Sequence, residues 1–420
     1  MISIGYSGIL AFFDRFRDPL VGKRLYYVAF ALYSLAAGIT ITASVRSGLG
    51  WMDVVDDSMQ VVALLLLLVK TVFSQSYSRR QAVTAACVFV VFAVSAFVCK
   101  NYTALWFAVL IIAGQDVDIR VVARIAGATS LFILVFAVLG SSVGFLENVQ
   151  IERGGSENLR NAMGFTHPNG FGETVAKICL ALAVAKWRRL AWIDFAFFAV
   201  AAASVVIVAD SRTFALAIVM IAVLSGLMQL RSDLNTSRRV VMGSGLLVAA
   251  CFFMSLFFMV FYDPSNPVHS ALNSALNTRL SLAHQYFESY SPMLFGVDYS
   301  HAKAVYMAGG IKSTFVVDNA FCQLVLRYGI VVTCVVAAAL VAFFRQAVKE
   351  DYAGVAVVLV AFMALVGLSE RVMAYPDFNI LFVAFSAILY GRSLWSIEGG
   401  GPRSEDCGLR EGEGGLPCRR

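Results

Sequence analysis

Four arginines and one histidine carry most of the chemical potential of this sequence, and each stands where a long apolar run meets a polar joint. Arg153 and Arg160 lead into Gly164-Phe-Thr-His167-Pro168-Asn169-Gly170, where a new apolar run begins. Pro168 suits a first helical turn, because the N–H it lacks would have no helical partner there. Glycines admit a ligand close to the backbone, and a helix N-terminus beside arginines attracts an anion. His167 has the ordinary pKa that suits a general base near neutrality. The plainer alternative is a Gly/Pro turn with solvated arginines and a chance histidine.

Three further places combine charge with an apolar border. Asp210-Ser-Arg212-Thr213 is a minimal turn between two apolar runs. Arg212 there either snorkels to lipid phosphate or turns inward to grip a substrate phosphate with its planar fork. The longest polar joint holds Arg279, His284, Gly296 and His301 before Val317-Asp318-Asn319 enters the next run. Arg279 on a short amphipathic helix is placed to meet the same anion; His284 and His301 read as surface residues. Arg327 follows one to two turns after Asp318, a spacing that fits a structural ion pair. Glu370-Arg371, with Pro376, Asp377 and Asn379, forms the last such turn and reads as pairing or capping. No phosphate-cradling P-loop, zinc-binding HExxH or nucleophile elbow is present. No DxD-type carboxylate cluster argues for a metal, and no cofactor is expected.

The elements that must hold these residues follow from composition. Hydrophobic residues make up 59% of the chain and charged residues 14%, with a mean hydropathy of +0.77. Soluble domains carry about a quarter charged residues, so soluble folds and nucleic-acid binding are set aside. Apolar runs lie near 25–44, 55–74, 82–99, 102–119, 123–145, 168–185, 191–209, 213–230, 240–262, 317–344, 352–369 and 378–395. Backbone amides cannot go unpaired in hydrocarbon, so these runs must be helices. The expected fold is all-α and polytopic, with about twelve transmembrane helices and a large outer loop, 263–316, between the ninth and tenth. Residues 1–24 read as a cytoplasmic or interfacial segment whose start resembles an amphipathic surface helix rather than a cleaved signal. Residues 25–395 form the bundle, and 396–420 a disordered tail.

Lysine and arginine alternate between joints. Arg79, Arg80, Arg120, Arg124, Lys186, Arg188, Arg189, Arg231, Arg238, Arg239, Arg345 and Lys349 all fall in one set. By the positive-inside rule that set is cytoplasmic, with both termini inside and the 146–167 and 263–316 joints outside. Most of the eight cysteines fall within apolar runs, without CxxC or Cys/His spacing, and read as small packing residues.

With these placements the sequence resembles the O-antigen polymerase/ligase superfamily of bacterial membrane proteins (Wzy-like polymerases and O-antigen ligases). The resemblance rests on Arg160-x3-Gly164-x2-His167-Pro168-Asn169, on Ser211-Arg212-Thr213, and on a late loop with Asn277-Thr-Arg279-Leu, Leu294-Phe-Gly296, Val317-Asp318-Asn319 and Arg327-Tyr-Gly329. Glu370 followed by Asn379 fits the last outer turn. The match covers roughly residues 100–395, and the order and shared side of its short motifs carry it. It implies a multi-pass protein of the cytoplasmic membrane that moves a glycan from undecaprenyl diphosphate to a sugar hydroxyl, without a nucleotide sugar. A polymerase extends another lipid-linked repeat unit, and a flippase and a chain-length regulator are the partners it implies. A ligase uses a different acceptor.

On that resemblance Arg160, Arg212 and Arg279 form a clamp for the diphosphate, whose charge grows as the glycosidic bond breaks. His167 is the base in an inverting, metal-independent transfer, and Arg153, Asn169, Asp318, Asn319, Arg327 and Glu370 support them. A transporter or flippase is the rival from another class, since twelve spans with both ends inside is a common transporter layout. The absence of a long central joint, and polar residues gathered at one face, oppose it.

Overall fold

The computed structural model describes residues 18–392 except 45, 153–158, 232, 235–236, 277, 300–304, 307–311, 314–316, 350–352 and 372–373. The amphipathic start, the tail, Arg153 and His301 lie outside the described residues. The chain is 74% helical, and its strands among the described residues are two two-stranded hairpins. Helices α1 (Pro19–Thr40), α2 (Trp51–Val69), α3 (Arg79–Cys99), α4 (Thr103–Ala113) and α5 (Ile119–Ser142) come first. A hairpin of Gln150–Glu152 with Leu159–Asn161 follows. Then come α6 (Pro168–Ala185), α7 (Trp192–Ala209), α8 (Arg212–Leu230) and α9 (Arg238–Phe261). The late loop carries α10 (Pro267–Ala275) and α11 (Arg279–Ser289). Helices α12 (Ala320–Leu326), α13 (Ile330–Lys349), α14 (Ala353–Gly367) and α15 (Phe382–Tyr390) complete the order.

Six of these, α3, α5, α7, α8, α9 and α13, are long and apolar enough to cross a membrane. Their outward faces are apolar: Phe97, Ile207, Leu246 and Phe253 are all largely exposed. Apolar patches of that extent are foreign to a soluble monomer and natural against lipid tails. The protein is membrane-embedded and helical.

Three of the expected spans take a different form. The run at 102–119 ends its helix at Ala113, and the buried Lys70 closes it by donating to the carbonyls of Ala113 and of Gln115 (3.0 Å). The run at 317–344 is split, because α12 stops at Leu326 and α13 begins only at Ile330. The run at 378–395 yields only the nine residues of α15. At 1.5 Å per residue that helix covers about 14 Å, half of a hydrocarbon core near 30 Å. Irregular backbone at such depth is tolerated where protein surrounds it. Here Phe378 and the whole of Ile380–Ala384 are buried.

The split after α12 has a visible cause. Gly329 (φ +94°) and Gly296 (φ +90°) meet backbone to backbone; a Cβ on Gly296 would lie 1.9 Å from the Arg327 carbonyl oxygen. Val297 donates to Arg327 O at 3.2 Å and Ile330 to Met293 O at 3.1 Å, so the late loop is laced onto the gap. The sequence motifs Leu294-Phe-Gly296 and Arg327-Tyr-Gly329 are therefore two halves of one joint. On the other side of the site, residues 162–166 dock on the end of α1, with Ala43 N donating to Gly164 O (2.8 Å) and Thr166 N to Ile41 O (2.9 Å).

Gly296→Ala is expected to destabilise the fold by at least about 1–3 kcal/mol, the usual cost of forced backbone strain. Gly243→Ala, within α9 where a Cβ meets nothing within 4 Å, should instead be neutral or stabilising by about 0.5–1 kcal/mol. Thermal unfolding of the two variants in the same detergent checks the contrast.

Candidate functional site

The first side chain to be fixed is Asn169, one residue into α6. His167 is the N-cap of that helix, and its Nδ1 accepts the Asn169 backbone N–H at 3.1 Å. Asn169 then works in two directions. Its Oδ1 accepts from Arg160 Nη2 (2.6 Å) and from Ser211 Oγ (3.4 Å); its Nδ2 donates to Glu370 Oε1 (2.8 Å). Arg160 reaches it from the hairpin strand Leu159–Asn161, steadied by a second bond from Nε to Ala209 O (2.8 Å).

The same oxygen of Glu370 accepts from Arg279 Nη2 at 2.8 Å. Arg279 opens α11, whose buried Ala283 and Tyr286 pack with Met259, Cys322 and Leu326. Its guanidinium also faces Asp318 at 3.9 Å, and among the described residues its buried Nε–H has no hydrogen-bond partner. A chain of contacts thus runs from Arg160 through Asn169 and Glu370 to Arg279 and Asp318, across residues 160 to 370 of the sequence.

Charge neighbours bend the acid–base behaviour of these groups. Burial pushes the Glu370 carboxyl up to about 8, against the pull of Arg279, with Asp318 and Glu173 adding to the rise. Asp318 is also raised by burial, opposed by Arg279 and Arg371. His167, at the mouth of the site, is lowered to about 4 by partial loss of water and by Arg160, Arg279 and Arg46. The ring is neutral at pH 7. Since Nδ1 is occupied as an acceptor, the neutral ring holds its proton on Nε2 and presents a donor to the site. His167 is therefore suited to hydrogen-bond an anion, and the proton-accepting role expected for it does not fit this tautomer.

The other expected residues fall in three places. Arg212 is not in the cluster: its side chain is 74% exposed and pairs with Asp210 at 3.3 Å. The Ser211-Arg212-Thr213 turn instead reaches the site through its neighbours, Ser211 on Asn169 and Thr213 with Ser369 (3.1 Å). Asn319 is structural; it caps α12 through Phe321 N and Cys322 N and donates to Ser255 Oγ (2.9 Å) and Leu368 O (3.2 Å). Arg327 does not pair with Asp318, whose near cation is Arg279. The break at Gly329 leaves Arg327 as the C-cap of α12, its charge facing Tyr286 and Tyr299 and its Nε–H without a partner among the described residues. His284 bonds Met259 O (2.9 Å) and stands by Glu288, away from the arginines.

Sequence reading missed the floor of the site. One turn below Asn169, α6 carries Glu173 and then Lys177, and Lys177 forms a buried ion pair with Asp377 from the irregular segment before α15. Arg371, expected only to pair or cap, adjoins Glu370, Asp318 and Glu173 as a further cation of the site. A glutamate and a lysine four apart inside an apolar run were a legible signal, because ionisable groups there are costly and usually functional. Among the described residues no three His, Cys, Asp or Glu side chains stand close enough to hold a metal. What the cluster offers is cations, N–H donors and a shared carboxylate, which is an environment for an anion and for proton transfer. No protein-family model, curated protein or solved structure matches this chain.

Lys177→Met alone strands Asp377 in the interior and is expected to cost about 3–5 kcal/mol, as for other broken buried pairs. Lys177→Met with Asp377→Leu should recover most of that loss. Denaturation in detergent, read by intrinsic fluorescence, tests both.

Proposed function

We propose that this protein is a polymerase of undecaprenyl-diphosphate-linked oligosaccharide repeat units, acting at the outer face of the cytoplasmic membrane. The observation that carries the reading is the meeting of Arg160 and Arg279 near the His167 N-cap, with Arg371 adjoining the Glu370 they share, in a membrane-embedded bundle. A substrate whose reactive bond joins a sugar to a lipid diphosphate needs such a place. Its tail belongs in the hydrocarbon and its diphosphate at the border, among cations.

In that reaction an acceptor hydroxyl attacks C1 of the sugar, and the bond from C1 to the diphosphate oxygen breaks. Negative charge gathers on the diphosphate as it leaves. Arginines already fixed there stabilise the transition state more than the ground state. Two or three of them sharing one diphosphate also offset its desolvation. Arg160 and Arg279 are the proposed clamp, with His167 Nε2–H as a neutral donor beside them. Arg371 takes the third clamp position that the resemblance implied for Arg212. The product is a longer lipid-linked glycan and free undecaprenyl diphosphate.

The membrane layout belongs to the same reading: about twelve passes, both ends cytoplasmic, from the alternation of basic joints. It takes α12 with α13 as one interrupted pass, and the buried segment at 374–381 with α15 as the last. Cysteine labelling from outside intact cells at positions in 146–152 and 263–276 tests it. Labelling of only one of the two would break the proposed site apart.

The functional test uses the lipid-linked repeat unit that accumulates in cells lacking this gene. Purified protein should convert it to a ladder without any added acceptor; transfer only when a second, unlike acceptor is supplied would make it a ligase. Arg160→Lys and Arg279→Lys are each expected to lower turnover about 10²–10³-fold, the usual loss for one transition-state donor. Arg212→Lys should leave turnover close to wild type, because that side chain faces outward.

A further inference from the structure

Glu370 is the point at which both arms of the site meet. Arg279 touches it directly, and Arg160 reaches it through Asn169. Both bonds fall on Oε1, and among the described residues Oε2 has no hydrogen-bond partner. The side chain is 11% exposed, as is that of Arg279. It is shielded without being sealed.

A carboxylate bound to an arginine meant for phosphate occupies the place of an anion. When a diphosphate enters, its oxygens compete for Arg279, whose Nε–H is still unsatisfied. Transfer of Arg279 to the diphosphate would leave Asn169 as the remaining hydrogen-bond donor to Glu370 among the described residues, with Arg371 nearby. The carboxylate then loses its main counter-charge just as the acceptor arrives, which makes it more basic. His167 cannot take that proton while its Nδ1 accepts the Asn169 N–H. Among the described residues the ion pair of Asp318 is with Arg279, at 3.9 Å, and it lies on the far side from Arg160 and His167 in the chain of contacts.

We propose that Glu370 is the proton acceptor of the glycan transfer, masked by Arg279 until a lipid diphosphate draws that arginine away. The proposal rests on the polymerase reading above. In the step, the acceptor O–H gives its proton to Glu370 Oε2 as its oxygen forms the bond to C1. The bond from C1 to the diphosphate oxygen breaks, and its electron pair leaves with undecaprenyl diphosphate. Glu370 then returns the proton to water as Arg279 swings back. Masking confines the active base to the donor-bound state.

The charged groups facing Glu370 are Arg279 from α11, Asp318 ahead of α12, Glu173 from α6 and Arg371 next in its own loop. With the carboxyl poised near 8 in the unliganded protein, the base form grows as pH rises. kcat/KM should therefore climb with pH through that value and level off above it.

The test uses full-length protein in nanodiscs, turnover of the accumulated lipid-linked repeat unit, and binding of undecaprenyl diphosphate alone. Glu370→Gln should cut kcat about 10²–10⁴-fold, the range for a lost general base. It should bind undecaprenyl diphosphate as tightly as wild type or tighter, since Arg279 is no longer held by a charge. Glu370→Asp should recover part of the turnover, and the alkaline rise should persist in His167→Ala and Asp318→Asn. Wild-type turnover in Glu370→Gln, or loss of diphosphate binding along with turnover, overturns the proposal and leaves the polymerase reading standing. Loss of the alkaline rise in Asp318→Asn, with Glu370→Gln keeping it, overturns it in favour of Asp318. A wild-type protein that neither binds undecaprenyl diphosphate nor consumes the repeat unit removes the polymerase reading, and this inference with it.

Discussion

A buried carboxyl needs donors and cations around it, and Glu370 sets that demand for the candidate site of this bundle. Asn169 comes from the start of α6, Arg279 from the start of α11, and Arg371 from the chain beside it. Asp318, ahead of α12, completes the ring from the other side of Arg279. Each contact is ordinary in strength. Together they tie four stretches of chain to one point, and removal of any partner leaves a buried group uncompensated. The late loop, whose α10 buries no residue, is fixed to the bundle by this convergence, by the apolar face of α11 and by the Gly296–Gly329 joint.

A second charged layer lies beneath the first. Glu173 and Lys177 occupy successive turns of α6, and Lys177 holds Asp377 of the irregular segment leading to α15. That pairing helps hold a segment that is buried yet forms only isolated turns, such as Asn379 N to Tyr375 O (2.8 Å): its polar groups are met by protein. The loop between α14 and α15 is consequently gripped at both ends, Glu370 by Arg279 and Asn169, Asp377 by Lys177. A carboxylate held this way can be close to cations without drifting, which is what preorganised electrostatics requires.

The split of α12 from α13 has a functional side as well. A continuous helix over 317–344 would carry Asp318 and Asn319 in register with the apolar span. Breaking it at Gly329 frees α12 to be capped by Asn319 and packed under α11, so that Asp318 meets Arg279. Arg327, left at the break, faces the tyrosines of the late loop instead.

The membrane-embedded helical character was written in the sequence, because hydrocarbon forces apolar runs into helices and leaves no other economical solution. The gathering of Arg160, His167, Asn169, Arg279, Asp318 and Glu370 was also foreshadowed, since each sits at an apolar border. Which of them touch was decided only by tertiary structure. Arg212 and Arg279 both stood as clamp candidates on the sequence. One faces outward to Asp210 and the other inward to Glu370, according to how their helices pack. The tautomer of His167 depends on a backbone N–H two residues on, and the partner of Lys177 lies 200 residues away. Local periodicity carries no information about either. Three expected spans proved short or broken for the same reason: hydropathy measures how apolar a run is, while neighbours determine whether lipid or protein surrounds it.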